Sequence, residues 1–166
     1  MMGYLEEMIR LAKNGVIFDT NLFLVYLVGQ WSINEIHKFK RTCTYNVNDF
    51  LFLKAIEKRV GKLVTTPHIL TEACNHCDTL NKANHNQVFA MISDIISIAS
   101  ERSKQASLLT KDPLFNKLGL ADMSLIDASM HHHLIVTDDA PCYAAIENAG
   151  GLGLNINHLR GALWLQ

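Results

Sequence analysis

"GVIFDTNLFL", residues 15–24, runs Val16–Ile17–Phe18 straight into Asp19, then Thr20 and Asn21, and then returns to apolar residues. The three apolar residues read as a buried strand, and the carboxylate falls where the hydrophobic pattern wants to continue. An isolated buried charge is expensive unless it is paired or bound to a cation. Two readings follow. Asp19 caps the next helix, since Asp, Thr and Asn are all good N-cap residues. Alternatively, it forms one wall of an acidic metal site. Taken alone, the cap is the simpler reading, and the rest of the chain has to decide.

The chain has 166 residues, 49% of them apolar and 19% charged, which suits one globular domain over residues 1–166. The formal net charge is −1, so a nucleic-acid partner would have to be held by local basic patches rather than by overall charge. The N-terminal stretch carries Glu6 and Glu7 and lacks the apolar run of a signal peptide. No segment approaches the roughly 18 uncharged residues of a membrane span. The expectation is a cytoplasmic protein without membrane contact. Four scattered cysteines, Cys43, Cys74, Cys77 and Cys142, read as reduced thiols rather than a disulfide scaffold.

Outward from the opening strand, the spacing of apolar residues predicts helices over 3–13, 21–30 and 48–60, with Gly15 stopping the first and Asn48 or Asp49 capping the third. "KLVTT", residues 62–66, is a second short strand. Thr66–Pro67 is an N-cap followed by a first-turn proline, opening a helix to about Leu80. Further helical spacing covers Val88 to Ala99. Residues 103–120 show no clear pattern. A helix is expected from about 122 to 133, a strand at 134–137, a helix from Pro141 to Asn148 and a last strand at 152–156. "HHH", residues 131–133, reads as the positively favoured end of a helix. Short apolar strands alternating with helices predict an α/β fold: a central, mainly parallel sheet, helices on both faces in a three-layer α/β/α sandwich, and an extra N-terminal helix. Residues 31–60 are expected to add a hairpin or a helix pair.

In parallel α/β sheets, sites form at the carboxyl ends of the strands. Asp19 lies at such an end, and so does "TDD", Thr137–Asp139. Glu72 lies in the second turn of the helix begun at Pro67, and Asp122 opens the helix "DMSLIDASM". Asp127 is set aside, because five residues place it about 140° around the helix from Asp122.

"VIFDTN", "PHILTEACN", "LGLADMSLIDAS" and "LIVTDD", in this order, resemble the four acidic motifs of PIN-domain nucleases. The resemblance runs from about Val16 to Ile156. It implies Asp19, Glu72, Asp122 and Asp139 as catalytic residues, with Asp138 able to share or replace the role of Asp139. Thr20, Asn21 and Thr137 match supporting polar positions. The chain departs from the pattern in its N-terminal helix and in the long gap between Asp19 and Glu72. Clustered carboxylates repel one another and stay ionised together only beside a cation. Ligands that are all oxygen select Mg²⁺ or Mn²⁺, and the resemblance implies Asp19, Asp122, Asp138 and Asp139 as the metal ligands. The resemblance implies an endoribonuclease leaving 5′-phosphate and 3′-hydroxyl ends. It is compatible with the toxin of a toxin–antitoxin pair, a homodimer held in check by an antitoxin protein, or with a housekeeping RNA-processing nuclease.

Candidate phosphate contacts are Lys38, Lys40 and Arg41 in "HKFKR", and Lys58 and Arg59 further on; the plainer reading of all five is a solvated surface. His68, Cys74, His76 and Cys77 raise the thought of zinc, but no second ligand pair with suitable spacing appears. Two rival functions differ in class. One is a non-catalytic PIN-like module that binds RNA or protein. The other is an aspartate-phosphorylating α/β protein, disfavoured because Asn21 stands two residues after Asp19 where a haloacid-dehalogenase phosphatase needs a second Asp, and because no lysine follows the last strand.

Overall fold

The computed structural model describes residues 2–77 and 82–163. In chain order the elements are α1 (Met2–Leu11), β1 (Gly15–Phe18), α2 (Thr20–Trp31), a single 3₁₀ turn (Ile33–Glu35), α3 (Val47–Val60), β2 (Val64–Thr65), α4 (Pro67–Cys77), α5 (Lys82–Ile98), β3 (Ser100–Glu101), α6 (Ala106–Leu109), α7 (Phe115–Ser129), β4 (His133–Thr137), α8 (Ala140–Asn148), β5 (Gly153–Asn155) and α9 (Ile156–Leu163). The fold is mixed α/β, mostly helical, with a small parallel sheet.

Three strands lie in the order β1–β4–β5, all parallel and all buried along their length. Parallel strands covered on both sides need continuous apolar runs, which is what Val16–Phe18 and Leu134–Val136 supply. A second parallel pair, β2–β3, touches this sheet through one bridge from Val16 to Leu63. The close approach explains Gly15. At φ 117° it lies where side chains are disfavoured, and a Cβ there would fall 2.6 Å from Val64 Cγ2 and 2.8 Å from the Lys62 carbonyl oxygen. Gly15 therefore starts the strand; the first helix already ends at Leu11.

Helix α2 is apolar on all sides, and Leu22 to Gly29 are all buried, as expected of a helix enclosed by others. It packs against α3, α4 and α5. At Gly29 an added Cβ would lie 2.2 Å from the Phe50 ring, so glycine is what lets α2 and α3 approach so closely. Buried apolar side chains from Leu5 to Ile156 form one cluster around it.

Several local expectations are corrected. The cap of α3 is Asn46, whose side chain accepts from the Asn48 and Asp49 N–H groups while Asp49 reaches back to the Asn46 N–H, a reciprocal capping box. Residues 31–60 add neither hairpin nor helix pair: Trp31 ends α2, residues 32–46 form the 3₁₀ turn and loops, and a single helix, α3, follows. The helix carrying Asp122 begins at Phe115 and is broken at Gly119 (φ 81°, ψ 179°), so Asp122 stands just past the break. It ends at Ser129. The three histidines do not finish a helix: His132 is left-handed (φ 58°) and His133 opens β4. Thr66 caps α4 as expected, its hydroxyl accepting from the Ile69 N–H at 3.3 Å; the predicted end of that helix, 78–80, lies outside the described residues. Strand β3 and helix α9 were not legible in the hydrophobic pattern. Among the described residues, no helix is long and apolar enough to cross a membrane.

Candidate functional site

The β1–β4 register pairs Phe18 with Val136, so the next residues, Asp19 and Thr137, meet side by side where the strands end. The capping role that the sequence allowed for Asp19 is present. It caps α2, with Oδ1 accepting from the Leu22 N–H at 2.9 Å. Its Oδ2 accepts from the Thr137 hydroxyl and from the Asp138 N–H at 3.0 Å. Thr137, fully buried, in turn accepts from the Asp139 N–H at 2.9 Å. One hydroxyl thus links the two acidic turns.

The carboxyl ends of β1 and β4 open onto a cavity of about 310 Å³. Four carboxylates line it: Asp19, Glu72, Asp122 and Asp139, together with Thr20, Asn21, Arg41 and His76. Asp139 caps α8 through Oδ1, which accepts from the Cys142 N–H at 2.7 Å. Glu72 is fixed on one side, with Oε2 accepting from the Thr20 hydroxyl at 2.6 Å and Oε1 lying 4.0 Å from His76 Nε2. Four acids from well-separated parts of the sequence therefore share one chamber at the sheet edge where α/β folds place their ligands.

Asp138 does not line this cavity. Its Oδ2 accepts from the Tyr45 hydroxyl at 2.6 Å, and its carbonyl accepts from Asn157 Nδ2 at 2.9 Å. The Arg160 guanidinium sits 5.3 Å from the Tyr45 ring centre and donates through Nε to the buried Asp49 at 2.9 Å. The loop before α3 and helix α9 thus brace the Asp138–Asp139 turn. Of the two adjacent acids, Asp139 is the one presented to the cavity.

The electrostatics reflect crowding. Burial first, and then the nearby Asp138 charge, push the Asp19 carboxyl up to about 7, against the hydrogen bonds that favour its ionised form. Burial and then the Asp139 carboxylate push Asp122 up to about 6, opposed by a hydrogen bond from the Cys142 thiol. That thiol is itself raised, mainly by burial and by Asp122, so it stays protonated and serves as a donor. Two carboxyls whose ionisation is pushed up towards neutral pH, in an all-oxygen set, are what a hard divalent cation would relieve. In this respect the residues fit such an ion. Their side chains face one cavity without closing on a single point: among the described residues, no three His, Cys, Asp or Glu groups are drawn together around a common metal position.

Of the five basic residues named from sequence, only Arg41 reaches the cavity. Lys38 is paired with Glu35 at 2.6 Å, Arg59 is paired with Glu6, and Lys40 and Lys58 are exposed elsewhere. Asp127 points away, held by Arg102 and Lys104, as its helical position required. His76 was weighed only for zinc. Its place four residues after Glu72 puts both on one helix face, a signal that was available. Burial and the Arg41 charge hold its imidazole below the usual histidine value, with Glu72 opposing. Tyr45 carried no signal, because its partner lies 93 residues away.

Compared with protein-family models, curated proteins and solved structures, the chain matches none.

Proposed function

We propose that this chain is a Mg²⁺- or Mn²⁺-dependent endoribonuclease of the PIN type, with its helices arranged about the sheet as a three-layer sandwich. The observation that carries the reading is the convergence of Asp19, Glu72, Asp122 and Asp139 on one cavity at the carboxyl edge of the sheet. Asp19 and Asp139 would hold the ion, and Asp122 the same or a second one. When bound, the ion would offset charge on the scissile phosphate and the leaving oxygen. The chain's own residues supply the rest. Thr20 ties down Glu72 Oε2, leaving Oε1 to orient the attacking water and accept its proton. Arg41 and Asn21 offer donors to a phosphate entering the cavity. Thr137 holds the Asp19 and Asp139 turns in register.

The products would carry 5′-phosphate and 3′-hydroxyl ends. A homodimeric toxin restrained by an antitoxin protein in the cytoplasm suits the sequence resemblance. A housekeeping nuclease uses the same site.

The test is incubation of mixed RNAs with the purified protein and with Asp19→Asn, in Mn²⁺, Mg²⁺ or chelator, followed by mapping of the new ends. Cleavage by the wild type alone, with metal alone, supports the enzyme. Binding of RNA without cleavage in any metal replaces it with the non-catalytic module. Growth arrest on expression, dependent on Asp19, separates a toxin from a housekeeping nuclease.

A further inference from the structure

We propose that the chain also binds a phosphate monoester in a second cavity, at the amino-terminal edge of the sheet, where Lys62, Arg102 and His133 converge. The site is independent of the carboxylate cavity and of the nuclease reading. His133 opens β4 and Thr137 ends it, so four residue steps, roughly 13 Å of strand, separate the two edges.

The cavity measures about 330 Å³, and its polar walls come from Lys62, Ser100, Glu101, Arg102, Ser103 and His133. Arg102 is anchored. Its Nη2 donates at 2.7 Å to Asp127, whose side chain is only 5% exposed, and Lys104 bonds the other oxygen of the same carboxylate. One buried acid thus holds two cations in place and neutralises one of them. Lys62 adds a third cation; it is exposed and, among the described residues, enters no ion pair. Glu101 brings the one carboxylate among the residues lining the walls, against Lys62 and Arg102, so the excess is positive.

The guanidinium of Arg102 is held from one side only, because Nε is buried without a hydrogen-bond partner among the protein atoms. The His133 ring is fixed by Nδ1 donating to the Ala128 carbonyl at 3.1 Å, which makes it a wall of set orientation. An anchored guanidinium, an unpaired ammonium and two serine hydroxyls suit a tetrahedral oxyanion. The volume exceeds that of a bare phosphate and leaves room for the group esterified to it.

The experiment is an amide NMR titration of the full chain at constant ionic strength, with three probes: inorganic phosphate, a ribonucleoside 5′-monophosphate and the same nucleoside without phosphate. The two phosphates are expected to shift residues 100–104 and 133 saturably, the monophosphate more tightly, and the nucleoside not at all. Lys62→Ala, a surface change, should weaken binding at least tenfold. Arg102→Lys keeps a cation for Asp127 but removes the planar guanidinium, and should weaken it comparably while the spectrum stays folded. Inorganic phosphate binding as tightly as the monophosphate would remove the ester group from the proposal. Shifts matched by chloride, shifts confined to the Arg41–His76 side, or binding unchanged in both variants would overturn it. Loss of RNA cleavage has no bearing on any of these outcomes.

Discussion

The main-chain N–H of Asp138 donates to Asp19 Oδ2 at 3.0 Å, across 119 residues of sequence. The neighbouring strands β1 and β4 create this contact, and it places an Asp138 charge beside a buried Asp19. Asp19 and Asp122, raised to about 7 and about 6, then bind more protons folded than unfolded between pH 4 and 7. Stability of the metal-free protein should fall as pH rises through that window. Mn²⁺ that binds only the folded form reverses the loss. Thermal melts should show a larger Mn²⁺-induced rise in Tm at pH 8 than at pH 5. Equal rises at both would argue against ionised Asp19 and Asp122 as ligands.

Asp122→Asn removes one of these reluctant charges without changing side-chain size. Without metal at pH 8, its melting temperature should rise by about 2–4 °C, the shift expected for roughly 1 kcal/mol in a chain of this length, while RNA cleavage is lost. Such a trade between stability and activity marks a functional charge. A destabilised variant would mean that Asp122 serves the fold.

Thr20 and Glu72 test the positioning of the water-orienting carboxylate. Thr20→Val keeps the shape but deletes the 2.6 Å hydrogen bond to Glu72. Turnover should fall about tenfold, equivalent to ~1.4 kcal/mol, with KM little changed, and Thr20→Ser should restore it. Steady-state kinetics on a defined RNA decide the matter.

Tyr45→Phe releases the Asp138 carboxylate from its hydroxyl donor. A lost hydrogen bond of this kind costs about 1 kcal/mol, so urea unfolding should show a modest drop in stability. Because Tyr45 acts through Asp138, the effect on cleavage should largely vanish when Asp138→Asn is already present. Additive losses in the double-mutant cycle would show two separate roles.

Asp127 stabilises the opposite edge. Burial alone would raise its carboxyl, but hydrogen bonds and charge from Lys104 and Arg102 hold it below the usual value. Its contribution is present above pH 4 and lost as pH falls through the depressed value. Asp127→Ala leaves two partly exposed cations without their partner and should cost about 1.5–3 kcal/mol, the range for hydrogen bonds to charged groups, seen as a lower urea midpoint. Mn²⁺ affinity of the folded fraction should not change.

The sequence made the acid set legible because each carboxylate stands next to a feature that can be read locally. Val16–Phe18 and Leu134–Val136 are apolar runs ending in acid, and Thr66–Pro67 announces the helix that bears Glu72. The adjacent Asp138 and Asp139 could not be told apart in the same way. What separates them is Tyr45 and Asn157, brought in from distant segments. Strand β3 is two polar residues, Ser100–Glu101, paired only because β2 lies alongside, so it has no apolar alternation to read. The hydrophobic pattern places the start of a helix at about Asp122, three residues past Gly119. In the fold this glycine is a left-handed break inside a longer helical stretch. The role of Gly15 depends on Val64 and Lys62, which tertiary packing alone brings near.

The most direct measurement is anomalous X-ray diffraction from crystals of the wild-type protein soaked in Mn²⁺ at pH 8, with Asp139→Asn crystals treated identically. A manganese peak bounded by Asp19, Asp122 and Asp139, and lost in the variant, is the predicted result. A cavity without manganese, or a peak held by other residues and unchanged in Asp139→Asn, would contradict the assignment of these carboxylates to a divalent cation.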